Sequence, residues 1–66
     1  MIVTGTVSHF DEAAGLGSIA GDDGATYAFH CIEISDGTRA IDVGQRVAFT
    51  PLPRFGAVEA GDVTKL

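Results

Sequence analysis

The chain has 66 residues, 45% of them apolar, which is enough for one small domain (residues 1–66 as a unit) and excludes a disordered polymer. Nine glycines and two prolines in so short a chain imply frequent turns and short strands. The net charge of −5 is uneven: residues 1–38 hold Asp11, Glu12, Asp22, Asp23, Glu33 and Asp36 and no Lys or Arg, so this half offers no basic patch. Arg39, Arg46, Arg54 and Lys65 all fall in the second half, with Asp42, Glu59 and Asp62. The acidic half reads first as a solvated surface; the sharper alternative is that it repels phosphate unless a few local groups overcome it.

The stretch "IVTGTVSHF" is rich in β-branched residues and reads as a first strand, with Gly5 marking a bulge or a close backbone approach. "DEAAG" is a polar loop in which Asp11 and Glu12 are solvated. "LGSIAG" is a second strand, and Gly17 at its centre leaves room for a neighbouring ring. "GDDG" supplies a hairpin turn and "ATYAFH" a third strand. Alternation places Tyr27 and Phe29 on one face of that strand and Ala28 and His30 on the other, and sets Gly17 and Ile19 opposite Leu16 and Ser18.

A longer connection follows, with room for one helical turn near Cys31–Ile34. It carries an "SDG" turn and three apolar anchors, Ile32, Ile34 and Ile41. "RVAFT" is a fourth strand, which must end at Pro51 and Pro53 or lie on an edge there. "RFG" is a turn, with Phe55 as a lid over the barrel end, and "AVEAGDVTKL" is a fifth strand weakened by Gly61. The expected core is Val3, Val7, Ile19, Tyr27, Phe29, Ile34, Val47, Phe49 and Val63. Five short strands with one long connection between the third and fourth describe an all-β, five-stranded antiparallel Greek-key barrel of the OB type.

Cys31 is the only cysteine, so no internal disulfide can form, which suits a reducing cytosol. "MIVTGTV" lacks the basic start and apolar run of a signal peptide, and no segment reaches the roughly 18 apolar residues of a membrane span. A cytoplasmic location and no membrane partner are therefore expected. His9, His30 and Cys31 could converge as zinc ligands, but without a carboxylate second shell no metal site is assigned, and no cofactor is expected. A nucleophilic Cys31 beside His30 fails because neighbours on a strand point apart, so no catalytic residue is assigned.

Along its whole length the chain resembles the bacterial cold-shock proteins. The family opens Gly-x-Val-Lys-Trp-Phe, and here stands Gly5-Thr6-Val7-Ser8-His9-Phe10. Its first ribonucleoprotein motif, Lys-Gly-Phe-Gly-Phe-Ile, corresponds to Ala14-Gly15-Leu16-Gly17-Ser18-Ile19, and its second, Val-Phe-Val-His, to Tyr27-Ala28-Phe29-His30. Gly44-Gln45-Arg46-Val47-Ala48-Phe49 matches a later family segment, and "AGDVTKL" resembles its last strand.

The resemblance implies a non-enzymatic module that binds single-stranded DNA or RNA by stacking bases on aromatic side chains, as an RNA chaperone or cold-shock regulator. It places the site at Ser8, His9, Phe10, Gly15, Leu16, Gly17, Ser18, Ala28, His30 and Cys31. Phe10 and His30 would stack bases with help from His9, Gly15 and Gly17 would allow close approach, and Ser8 and Ser18 would donate hydrogen bonds. The chain departs from the family on that platform: Ser8 and Ala14 replace lysines, His9 a tryptophan, and Leu16, Ser18, Ala28 and Cys31 phenylalanines. Weak binding is the expectation. The alternative is a protein-interaction or self-associating module, in which Leu16, Ser18, Ala28 and Cys31 pack on a protein partner or a second copy.

Overall fold

The computed structural model describes residues 1–54 and 56–66. The lid reading of Phe55 lies outside them. The described residues form strands β1 (Val3–Asp11), β2 (Leu16–Gly21), β3 (Thr26–His30), β4 (Arg46–Arg54) and β5 (Ala57–Lys65), with a 3-10 turn over Cys31–Glu33. They close into a barrel in the order β1-β2-β3-β5-β4, with β4 returning to pair with β1. This is the five-stranded all-β barrel that the strand count and the long third connection predict. Among the described residues no helix is long and apolar enough to cross a membrane.

Inward alternation builds the core. Val7, Ile19, Phe29, Val47, Phe49 and Val63 are essentially inaccessible to solvent, and Tyr27, Ile34, Ile41 and Ala60 complete the buried set. Val3, expected among them, is only partly buried against this cluster. Ile32, expected as an anchor, is 64% exposed, because the 3-10 turn points Ile34 rather than Ile32 at the barrel, where Ile34 bridges to Val63.

Two irregularities shape the strands. Val7 pairs with Ile19 but His9 pairs with Ser18, so Ser8 is the extra residue of a bulge. Gly5 is not the bulge: it is a point of close approach, where an added Cβ would lie 2.6 Å from the Ala20 carbonyl oxygen. The second irregularity lies in β5 near Gly61, opposite the step from Ala48 to Thr50, and includes Asp62 at a φ of 50°. β4 does not stop at its prolines. Its pairing with β1 ends at Phe49 and its pairing with β5 runs on to Arg54, so Pro51 and Pro53 sit where one side of the strand is open.

Ion pairs tie the connections down. Arg46 holds the Asp22 carboxylate with two hydrogen bonds of 2.8 and 2.7 Å, and the Thr4 hydroxyl donates to the same group at 2.6 Å. These partners hold the Asp22 carboxyl well below the usual carboxylate range, Arg46 contributing most. Asp36 is lowered to about 2, first by the Thr38 backbone N–H and then by Lys65.

Both carboxylates have folded-state pKa values below their unfolded ones, so each stabilises the fold above the unfolded value and loses that contribution as pH falls through the folded value. The melting temperature is expected to stay level down to about pH 5 and to fall between about pH 4 and pH 2, with a shallower fall in Arg46→Ala. A melting temperature unchanged between those lower values in thermal scans would contradict this reading of the ion pairs.

Candidate nucleic-acid interface

The register lays the predicted residues out in rows. His9, Ser18 and Ala28 form one row across β1, β2 and β3, and Ala28 continues to Glu59 on β5 through a parallel bridge. Asp11, Leu16 and His30 form a second row. Thr6, Ala20 and Thr26 form a third. Except for the half-buried Ser18 and Thr6, every three-strand member of these rows is exposed, so they make up the outer face of the sheet. Leu16, at 45% exposure, is the largest apolar side chain on it. Five of the ten predicted positions therefore meet on one exposed surface.

The other five stand differently. Ser8 is exposed in the bulge, where its hydroxyl donates to the Ser18 carbonyl at 3.3 Å. Because of the bulge, the inward row after it is Phe10–Gly17–Phe29 rather than one containing His9. The Phe10 ring lies 6.0 Å from the Phe29 ring and nearly parallel to it, 7° apart. Phe10 is thus a half-buried ring packed on the core, not a free ring on the outer face.

Gly17 is what lets the two rings meet. A Cβ there would lie 2.6 Å from the Phe29 ring and 2.8 Å from the His9 carbonyl. Gly15 is buried with a φ of 69°, in a corner where it meets Cys31. The Cys31 N–H donates to the Gly15 carbonyl at 2.8 Å, and Cys31 is partly buried at the start of the 3-10 turn. Gly15, Gly17 and Cys31 therefore shape the support of the face rather than its surface.

Two residues on or beside the face were given no role by the sequence reading. Asp11 belongs to β1, not to the loop, and shares a row with Leu16 and His30. Its carboxylate accepts from the Ala14 N–H at 3.2 Å and its carbonyl from the Gly15 N–H at 2.8 Å, closing the β1–β2 turn. Glu59 borders the face beside Ala28. Extending the two-residue alternation of β1 past His9 would have placed Asp11 on the face. Nothing local in the sequence signals the approach of Glu59, since β3 and β5 are far apart in the chain.

Electrostatics set this surface apart from a typical phosphate-binding one. Arg46 pairs with Asp22, Arg54 with Glu33 at 3.5 Å, and Lys65 with Asp36 at 2.9 Å. Among the described residues, neither Lys nor Arg lies on the three rows. Among the described residues, the groups on and beside the face that can carry positive charge are His9, His30 and, next to Thr6 at the far end, Arg46, whose guanidinium is held by Asp22. Among the described residues no three His, Cys, Asp or Glu side chains gather as metal ligands; His9 and His30 stand in different rows.

Comparison with known proteins bears on this geometry. The family model described as "'Cold-shock' DNA-binding domain" matches residues 3–66. Among solved structures, the chain is similar to drosophila Unr CSD456, at 27% sequence identity and a TM-score of 0.85. The likeness covers 100% of this chain, which spans only 27% of that longer one.

Proposed function

The chain belongs to the cold-shock DNA-binding domain family, a nucleic-acid-binding fold and not a family of enzymes, and on that premise we propose that it binds single-stranded nucleic acid weakly through the outer face of β1–β3. The observation that carries the reading is the register: family platform positions fall together on one exposed surface, in the rows His9–Ser18–Ala28 and Leu16–His30. His9 and His30 offer imidazole planes, Leu16 an apolar contact, and Ser8 and Ser18 hydrogen bonds. Phe10 contributes from the rim.

The weakness follows from what occupies those positions. Base–aromatic stacking is worth about 1–3 kcal/mol per base, so the loss of roughly four rings removes on the order of 4–8 kcal/mol after allowing for non-additivity. Three of the four cations, those of Arg46, Arg54 and Lys65, do not restore it, because they are already held by carboxylates. Few phosphate contacts imply a shallow dependence on salt. A role as RNA chaperone or cold-shock regulator is compatible with weak, sequence-tolerant binding.

Titration of the isotopically labelled chain with a short oligo(dT) strand tests the placement. Amide shifts are expected to cluster at Ser8–Phe10, Gly15–Ser18 and Ala28–Cys31. A well-folded spectrum without shifts at millimolar strand would overturn the reading. Shifts on the same residues with protein concentration alone would favour a protein or a second copy as the occupant.

A further inference from the structure

We infer that nucleic-acid binding by this face is coupled to proton uptake, with His9 and His30 as its phosphate-contacting groups; the inference rests on the binding role proposed above. His9 belongs to the Ser18–Ala28 row and His30 to the Leu16 row, and both are exposed. Neither side chain makes a hydrogen bond or an ion pair with any other described residue. Both imidazoles are therefore free to meet a ligand.

Among the described residues, the charged groups around them that are not held in ion pairs are of one sign. Asp11, on β1, shares the row of Leu16 and His30, with Glu12 following in the turn, and Glu59, on β5, extends the row of His9, Ser18 and Ala28. At the far end of the face Arg46 reaches Thr6, but its guanidinium is bound to Asp22. Arg54, beyond β3, is held by Glu33, and Cys31 beside His30 is partly buried. With both imidazoles neutral, the described residues of the face present carboxylates and no unpaired cation to a polyanion.

Imidazole is the side chain whose charge ordinarily changes between about pH 5 and 8. A phosphate brought beside it favours the protonated form, and protonation in turn favours the phosphate, since linkage is reciprocal. Each proton taken up creates one phosphate contact and releases counterions from the strand. The platform is thus nearly inert to phosphate in its neutral form and carries up to two cations in its protonated form. Asp36, lowered to about 2, and Asp22, lowered further, stay ionised throughout this window, so the Arg46–Asp22 and Lys65–Asp36 pairs do not change with the face.

The test is the affinity of the chain for oligo(dT), whose bases carry no group that titrates in this range, measured by amide shifts at about pH 8 and about pH 5.5. Affinity is expected to rise roughly tenfold on acidification, and the slope of log K against log salt to steepen by about 1.4, the value for two added contacts to a single strand. In the double variant His9→Gln/His30→Gln both changes should be lost. Binding of equal strength at the two pH values, or a rise that survives in the double variant, would overturn the proton coupling and leave the binding role intact. No binding at either pH, from a folded spectrum, would overturn both.

Discussion

Restoring two rings, with Ser18→Phe and Ala28→Phe in one variant, is expected to tighten binding of a short oligo(dT) strand by roughly 30- to 1,000-fold. The two positions are direct partners across β2 and β3, on the face that also carries His9. Phenylalanines there would stand side by side, one for each of two successive bases. At about 1–3 kcal/mol per stacked base, and less than additive because the rings are neighbours, the pair supplies about 2–4 kcal/mol. That range converts to the stated fold-change. Folding should tolerate the exchange, because Ala28 is exposed, Ser18 only half-buried, and aromatic residues suit strands. Fluorescence or amide-shift titration of the two proteins side by side checks it. A folded variant that binds no better than the parent would show that this face is not where the strand lies.

Phe29→Ala is expected to remove most of the stability of the domain. Phe29 is 1% exposed, and three features of the barrel depend on its ring: the core contact itself, the parallel seat for Phe10, and the fit above Gly17. Truncating a buried phenylalanine costs about 3–5 kcal/mol. A domain of this length has only about 3–10 kcal/mol in total, at the usual stability per residue. The variant should therefore be partly or wholly unfolded at room temperature, or melt some tens of degrees lower, since about 1 kcal/mol moves a domain of this size by roughly 4–8 °C. Urea or thermal unfolding measures it. A cost under about 1 kcal/mol would contradict the place given to Phe29. Phe10→Ala should cost less, because Phe10 is only partly buried.

The two results separate the frame from the face. Phe29 and Gly17 belong to the frame, where a ring needs the space that only glycine leaves. Ser18 and Ala28 belong to the face, where small side chains leave the sheet uncovered. A cold-shock barrel can lose rings from its outer rows without losing its core, because strand alternation sends the two sets of side chains to opposite sides.

That alternation is also why so much of the barrel could be read from residue order. Ile19, Tyr27, Phe29, Val47 and Phe49 occupy alternate positions of short strands, and each is buried as its place predicts. Where alternation breaks, the reading slips. Val3, Gly5 and Val7 point one way, and the next apolar residue is Phe10 rather than residue 9. That one-residue offset is the trace of the Ser8 bulge, and it was legible in principle. Treating His9 and Phe10 as joint members of one face overlooked that strand neighbours point apart.

Contacts distant in sequence left no comparable trace. The Arg46–Asp22 pair joins β4 to the β2–β3 turn, and nothing in either segment announces the other. Glu59 reaches the edge of the face only because β5 runs parallel to β3 at Ala28. Residue order did reveal an acidic first half without cations. Only the fold reveals that three of the four cations in the second half are already engaged. Pro51 and Pro53 meet the second of the two outcomes that residue order allows: the β1 side is open there, so the strand runs on along an edge instead of ending.

The central claim is a cold-shock barrel with its frame intact and its nucleic-acid platform pared down. The affinity of the unmodified chain for a short oligo(dT) strand at neutral pH, taken at two salt concentrations, tests it most directly. The prediction is a dissociation constant weaker than about 1 μM and a slope of log K against log salt shallower than about −1, as expected when few cations meet phosphate. Sub-micromolar binding with a slope of several units would contradict it, and would mean that the face holds the strand by contacts other than those of His9, Leu16, Ser18, Ala28 and His30.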